Sequence, residues 1–247
     1  MRCMNVHATV KMTRLFCVGL VLCSCSKNAV ETPMTAVFID RSHIAAEDIP
    51  SVFDSAAVKY NTVSILNWKD TYPYLPKVDF AVAHNGNNLL IHYRVTEKRT
   101  IGTMENDLES VYKESCCEFF FMEESDSLYY NIESNCIGSI YLECGTERAN
   151  RTVSTLDNLE KIDRWASLGR NSVGHIDSLT HWELAISVPL QALWRHDFVT
   201  LSGKTLLANV YNCVGSGDDR QYVTWVPVET DKPDFHRPEF FQPIYFE

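Results

Sequence analysis

The sequence predicts an all-β protein, an antiparallel β-sandwich of the jelly-roll or immunoglobulin-like kind with few short helices. Three observations predict it. Apolar residues recur with period two in segment after segment, the spacing of a half-buried strand. Turn residues separate those segments at short intervals, as they do in sandwiches. Helical spacing is confined to two short stretches. A chain of 247 residues, 45% hydrophobic, has ample material for one such core.

The elements follow in order. Residues 51–60 read as a helix. Val78-Asp79-Phe80-Ala81-Val82-Ala83-His84 alternates, and Asn85-Gly86-Asn87-Asn88 then gives a hairpin turn. Beyond it Leu89, Ile91, Tyr93 and Val95 share one face, with His92 and Arg94 opposite. Phe119-Phe120-Phe121 reads as a strand centre. Trp182, Leu184, Ile186 and Val188 form an apolar strand face that Pro189 ends, and residues 190–194 read as a helical turn or two. Residues 206–213 and 221–226 are strands about a Gly-Ser-Gly-Asp-Asp turn, and residues 242–246 close the chain.

Residues 111–138 carry the clearest functional signal. The stretch V-Y-K-E-S-C-C-E-F-F-F is followed by a short acidic turn and then Y-N-I-E-S-N-C-I-G. The first run reads as a mostly buried strand. The second reads as a half-wet one, with Asn131, Glu133 and Asn135 on one face and Tyr130, Ile132 and Cys136 on the other. Amides and carboxylates beside Tyr112 and Tyr129 are the chemistry that holds a polyhydroxylated ring. The same polar row is also what the solvated face of an antiparallel strand looks like.

Residues 1–25 read as an exported leader. Arg2, Lys11 and Arg14 give a basic start, and an apolar run at 15–23 is too short to span a bilayer. Leu22-Cys23-Ser24-Cys25 resembles a lipobox, with Cys25 the candidate for lipidation. A lipid there tethers the chain without a spanning helix, on the periplasmic or the outer face. Residues 26–49 read as a linker and residues 50–247 as one domain. Without the three basic leader residues the net charge moves from −10 to −13. That argues against nucleic acid and anionic lipid as partners and suits a neutral ligand or a cation.

Five cysteines follow the leader: Cys116, Cys117, Cys136, Cys144 and Cys213. None stands in a C-x-x-C pair, so neither a zinc site nor a thioredoxin-like site is expected. Buried small apolar residues are one reading of them. A disulfide, Cys116 with Cys213 first, is the other.

Trp68 with Tyr72-Pro73-Tyr74-Leu75-Pro76, Val111-Tyr112, Glu114-Ser115-Cys116-Cys117-Glu118-Phe119-Phe120, Tyr130-Asn131-Ile132-Glu133-Ser134-Asn135 with Gly138, Asn209-Val210-Tyr211-Asn212-Cys213, Trp225-Val226-Pro227, and Pro233-Asp234-Phe235-His236-Arg237-Pro238 stand in that order along the chain. Together they are similar to the family-nine-like carbohydrate-binding domains of bacterial exported proteins. The resemblance implies a sandwich that binds sugars, often at chain ends of plant polysaccharides such as xylan or cellulose, at times with structural calcium and beside a glycoside hydrolase. It implies an aromatic clamp, placed here at Tyr112 and Phe235, with polar contacts from the Asn131 strand. Glu114 stands where such domains have Asp and Cys117 where they have Val, and the clamp is Tyr and Phe instead of two Trp.

The expectation is therefore non-catalytic carbohydrate binding in a polysaccharide-use setting. Tyr112 and Phe235 stack on the sugar; Asn131, Glu133 and Arg237 take hydroxyls. Arg237 could equally pair with Asp234, and His236 reads as a local hydrogen-bond partner. Two alternatives stay open. Glu118 and Glu133 could act as paired carboxylates of an endo-xylanase-like glycoside hydrolase. His92 with Met104 or Met122 could hold haem in an electron-transfer sandwich. Calcium, if bound, would use Glu123-Glu124-Ser125-Asp126 or Gly217-Asp218-Asp219. No nucleophile elbow, P-loop or dinucleotide fingerprint is present.

Overall fold

A computed structural model describes residues 34–247. The leader and Cys25 lie outside the described residues. In chain order the strands and helices are β1 (Met34–Phe38), α1 (Ile49–Ser55), β2 (Asn61–Thr62), β3 (Lys77–His84), β4 (Asn88–Glu97), β5 (Thr100–Gly102), β6 (Cys116–Glu123), β7 (Tyr129–Asn135) and β8 (Ile140–Gly145). Then come β9 (Thr152–Val153), α2 (Leu156–Leu159), β10 (Asp163–Ala166), β11 (Gly174–Ile176), β12 (Thr180–Pro189), β13 (Thr205–Val214), β14 (Gln221–Thr224) and β15 (Gln242–Phe246).

One long sheet runs β10-β12-β4-β3-β1-β15-β13-β6-β7-β8-β9, with β2 beside β3 and β14 beside β13. It curls so that its two halves face each other as a sandwich. The main core lies between them: Val82, Ile91, Tyr93, Leu184 and Ile186 from one half meet Phe119, Phe121, Ile132, Leu142 and Val210 from the other. Fully burying such a side chain stabilises the fold by roughly 1.5–3 kcal/mol. The faces read for β4 and β12 are the faces found, because period two leaves no other choice once one side meets the core.

Three differences have physical causes. Residues 34–38, read as part of a linker, form β1, which pairs parallel with both β3 and β15 and makes the sheet mixed. Only Ala36 of these five is fully buried, so alternation was too faint to read. Helix α1 stops at Ser55 instead of reaching Tyr60, because Ala57 turns the chain at φ +51°. Strand β7 is buried along its whole length, where a half-wet strand was expected. Its outward face is roofed by a second apolar cluster that includes Trp68, Val228, Phe235 and Phe241.

Candidate functional site

Alternation on three neighbouring strands builds the site. Cys117, Phe119 and Phe121 of β6 turn into the sandwich, so Cys116, Glu118 and Phe120 must face outward. By the same rule Tyr129, Asn131 and Glu133 face outward on β7, and Tyr211 and Cys213 on β13. Register pairs Glu118 with Glu133 and with Tyr211, and Cys116 with Cys213. Where the roof over this face leaves a gap there is an open cleft of about 300 Å³.

Carboxyl groups make its floor. Glu118 and Glu133 are buried neighbours. Burial, then the nearby Cys213, pushes the Glu118 carboxyl well above the usual carboxylate range. Burial, then the neighbouring Glu118, does the same for Glu133. Cys213 Sγ donates to Glu118 Oε1 at 3.1 Å. Asn131 Nδ2 donates to Glu133 Oε1 at 2.9 Å, while Glu133 Oε2 is buried without a hydrogen-bond partner.

The walls come from loops and from β8. Tyr112 sits on the single turn Val111–Lys113 ahead of β6, and the residue is 42% exposed. Its carbonyl accepts the Gly215 N–H at 2.9 Å. A Cβ at Gly215 would come within 2.5 Å of that carbonyl, so the close approach that fixes Tyr112 requires glycine. Opposite, Tyr141 donates to Glu143 Oε1 at 2.8 Å. Arg148 donates to Asp234 Oδ1 at 2.7 Å and ties the 233–236 loop to the rim. Phe235 is nearly buried and stacks on Tyr211 with centroids 4.1 Å apart and planes 8° from parallel.

The structure thus brings Tyr112, Glu133 and Phe235 to one cleft. It places two of the expected residues elsewhere. Asn131 is consumed beneath the surface: its amide nitrogen goes to Glu133, and its oxygen accepts from Arg151 Nη2 at 2.7 Å. Arg237 turns away and donates through Nε to Glu239 Oε1 at 2.7 Å, because Asp234 is taken by Arg148. His236 is a local partner as read, its Nδ1 hydrogen-bonded to the Tyr129 hydroxyl at 3.0 Å. Tyr141, Glu143 and Arg148 were missed. The first two were signalled by alternation in I-Y-L-E-C-G on β8; Arg148 lies in a loop with no pattern.

The other chemistries fare differently. Glu118 and Glu133 are direct register partners on adjacent strands and line one cleft. His92 packs on Phe53 of α1, and Met122 belongs to the cluster roofing the opposite outer face, so they share no pocket for haem. In the acidic loops Asp126 already pairs with His196 and Asp219 with Arg99. Among the described residues, the carboxylate, thiol and imidazole groups that gather in three are Cys116, Glu118 and Cys213, not either acidic loop. All five cysteines after the leader are buried and free, including the opposed Cys116 and Cys213.

The pattern of carbohydrate-binding family 9 matches residues 47–246. The chain belongs to carbohydrate-binding family 9. A crystal structure from Bacteroides uniformis, provisionally described as a carbohydrate-binding protein, is 30% identical with a TM-score of 0.83; the match covers 87% of this chain and 100% of that one. A family 9 module from Caldicellulosiruptor kristjanssonii, solved with cellotriose, is 10% identical with a TM-score of 0.52 over 87% of this chain and 94% of that one. At that identity the likeness is one of fold. Among curated proteins none matches this chain. The family 9 match begins at residue 47, so β1, though part of the sheet, lies ahead of it.

Proposed function

We propose that this family 9 domain binds the end of a neutral, cellulose- or xylan-derived oligosaccharide without cleaving it. One observation carries the reading. The exposed ring of Tyr112 stands over a cleft whose floor holds a buried carboxyl oxygen, Glu133 Oε2, with no partner in the protein. An aromatic face takes the C–H side of a pyranose, and a buried polar atom without a partner is satisfied by a ligand hydroxyl. Burial pushes both floor carboxyls well above the usual carboxylate range, which disfavours charge there and suits a neutral sugar. About 300 Å³ is at the small end of ligand clefts and suits a chain end. A relative of the same fold was solved with cellotriose.

In this reading Tyr112 stacks on the ring, the edge of Phe235 closes the far side, and Glu133, Tyr141 and Arg148 take hydroxyls. Calorimetry against cello- and xylo-oligosaccharides tests it. Saturable binding that Tyr112→Ala weakens about tenfold supports it; no heat with any sugar of a broad panel, from folded protein, sinks it. Incubation with xylan or cellulose should release no new reducing ends.

The leader supports a second part of the proposal: the domain is exported, lipid-anchored at Cys25, and serves beside a polysaccharide-degrading enzyme. Incorporation of labelled fatty acid that Cys25→Ala abolishes is the measurement for the anchor.

A further inference from the structure

We propose that Cys116, Glu118 and Cys213 form a binding site for a thiophilic divalent metal, of which zinc is the type, set into the floor of the cleft. The backbone assembles it. Cys116 on β6 and Cys213 on β13 are direct register partners, and Glu118 lies two residues further along β6 on the same face. One donor atom from each of the three lies within 4.8 Å of the other two. The Cys213 sulfur and Glu118 Oε1 are 3.1 Å apart. Zinc–sulfur bonds of about 2.3 Å and zinc–oxygen bonds of about 2.0–2.2 Å put tetrahedral donors roughly 3.5–4 Å apart. The trio needs shifts of about 1 Å at most to reach that spacing, which side-chain torsions of Cys and Glu can supply.

The donor set names the metal class. Two sulfurs and one carboxylate suit zinc and its soft neighbours; calcium and magnesium require oxygen alone. Both thiols and the Glu118 carboxyl would give their protons to solvent on binding, leaving two thiolates and a carboxylate around the divalent ion. Three protein donors leave a fourth position open, as in metal sites that take an outside ligand. That position falls toward the cleft, because Glu118 and Cys213 line it.

An independent feature marks the same spot. Glu133, the register partner of Glu118, is 4% exposed, and its Oε2 has no hydrogen-bond partner. It can enter as the fourth donor or hold a metal-bound water. The remaining cysteines show the contrast: Cys117, Cys136 and Cys144 are dispersed within the main apolar core. This inference concerns the cleft assigned to sugar, but its test needs no sugar.

Reduced, metal-free full-length protein is titrated with cobalt(II). The expected result is one equivalent bound, with the intense near-ultraviolet band of thiolate-to-cobalt charge transfer, displaced by zinc. Cys116→Ser and Cys213→Ser should each weaken or remove the band, Cys144→Ser should leave it, and Glu118→Gln should lower zinc affinity at least about tenfold. Zinc should also slow alkylation of Cys213 in the unaltered chain, a reading that no folding defect of a variant can mimic. Absence of the band in folded, reduced protein overturns the proposal. So does a band that survives Cys213→Ser, or a Cys116–Cys213 disulfide in protein recovered from cells. Sugar binding that persists without metal leaves the carbohydrate reading intact, so the two can fail separately.

Discussion

Glu114 and Glu133 are two buried carboxyl groups that do opposite things. Glu114, just ahead of β6, is saturated. Its Oε1 accepts from the Thr103 N–H at 2.8 Å, the Met104 N–H at 3.1 Å and the Thr103 hydroxyl; its Oε2 accepts from Asn135 Nδ2 at 3.0 Å. Glu133, on β7, accepts one bond on Oε1 and none on Oε2. Both belong to the segments that resemble family 9, and both are hidden from water. The difference is in what surrounds them. A carboxylate that absorbs every nearby donor fixes a loop; one that lacks donors beside a cleft has capacity left for a ligand.

The largest test removes the saturated group. Glu114→Ala strands the two backbone N–H groups and the Asn135 amide, and should cost about 3 kcal/mol of stability in urea unfolding. A loss under about 1 kcal/mol would break the contrast. Next comes Tyr112→Ala, which should weaken oligosaccharide binding about tenfold, roughly 1.4 kcal/mol, by calorimetry. Its stability should stay within about 0.5 kcal/mol, because the ring is exposed. Glu133→Gln keeps the acceptor for Asn131 and changes the free end; affinity should fall by about 1 kcal/mol with stability nearly unchanged. If stability falls instead, Glu133 belongs with Glu114.

The smallest effect is in pH. Burial, then Arg151 and Arg148, lowers His236 from 6.5 to about 3. The folded chain thus binds fewer protons there than the unfolded one. The contribution of His236 is complete above pH 6.5 and is lost as pH falls toward 3. At pH 6 the loss is below about 1 kcal/mol. His236→Gln should flatten that limb of the stability profile, and an unchanged profile would mean that the ring takes up its proton as readily in the fold as in the unfolded chain.

Much of this was legible in the chain. Period two placed Leu89, Ile91, Tyr93 and Val95 and then Trp182, Leu184, Ile186 and Val188 on core faces, because a strand with one buried side has one solution. It also put Asn131 and Glu133 on the side away from the main core. What it could not say is that a roof covers that side. The roof comes from Trp68, Val228, Phe235 and Phe241, which are distant in sequence and patternless within their loops. Nor could spacing tell that Asp234 goes to Arg148 and leaves Arg237 to Glu239, since either pairing satisfies the charges. The register of β6 with β13, which sets Cys116 opposite Cys213, was legible only as one candidate pair among five cysteines.

Strand β1 has a mechanical meaning. It lies between β3 and β15 and runs parallel to both, so it carries the sheet from one half of the sandwich to the other. A pull applied through the residues ahead of Met34 therefore loads β1 in shear, along its length, and its hydrogen bonds on both edges resist together instead of opening one after another. The cleft is carried on β6, β7 and β13, beyond β15 from that seam, so such a load reaches β1 before it reaches the cleft.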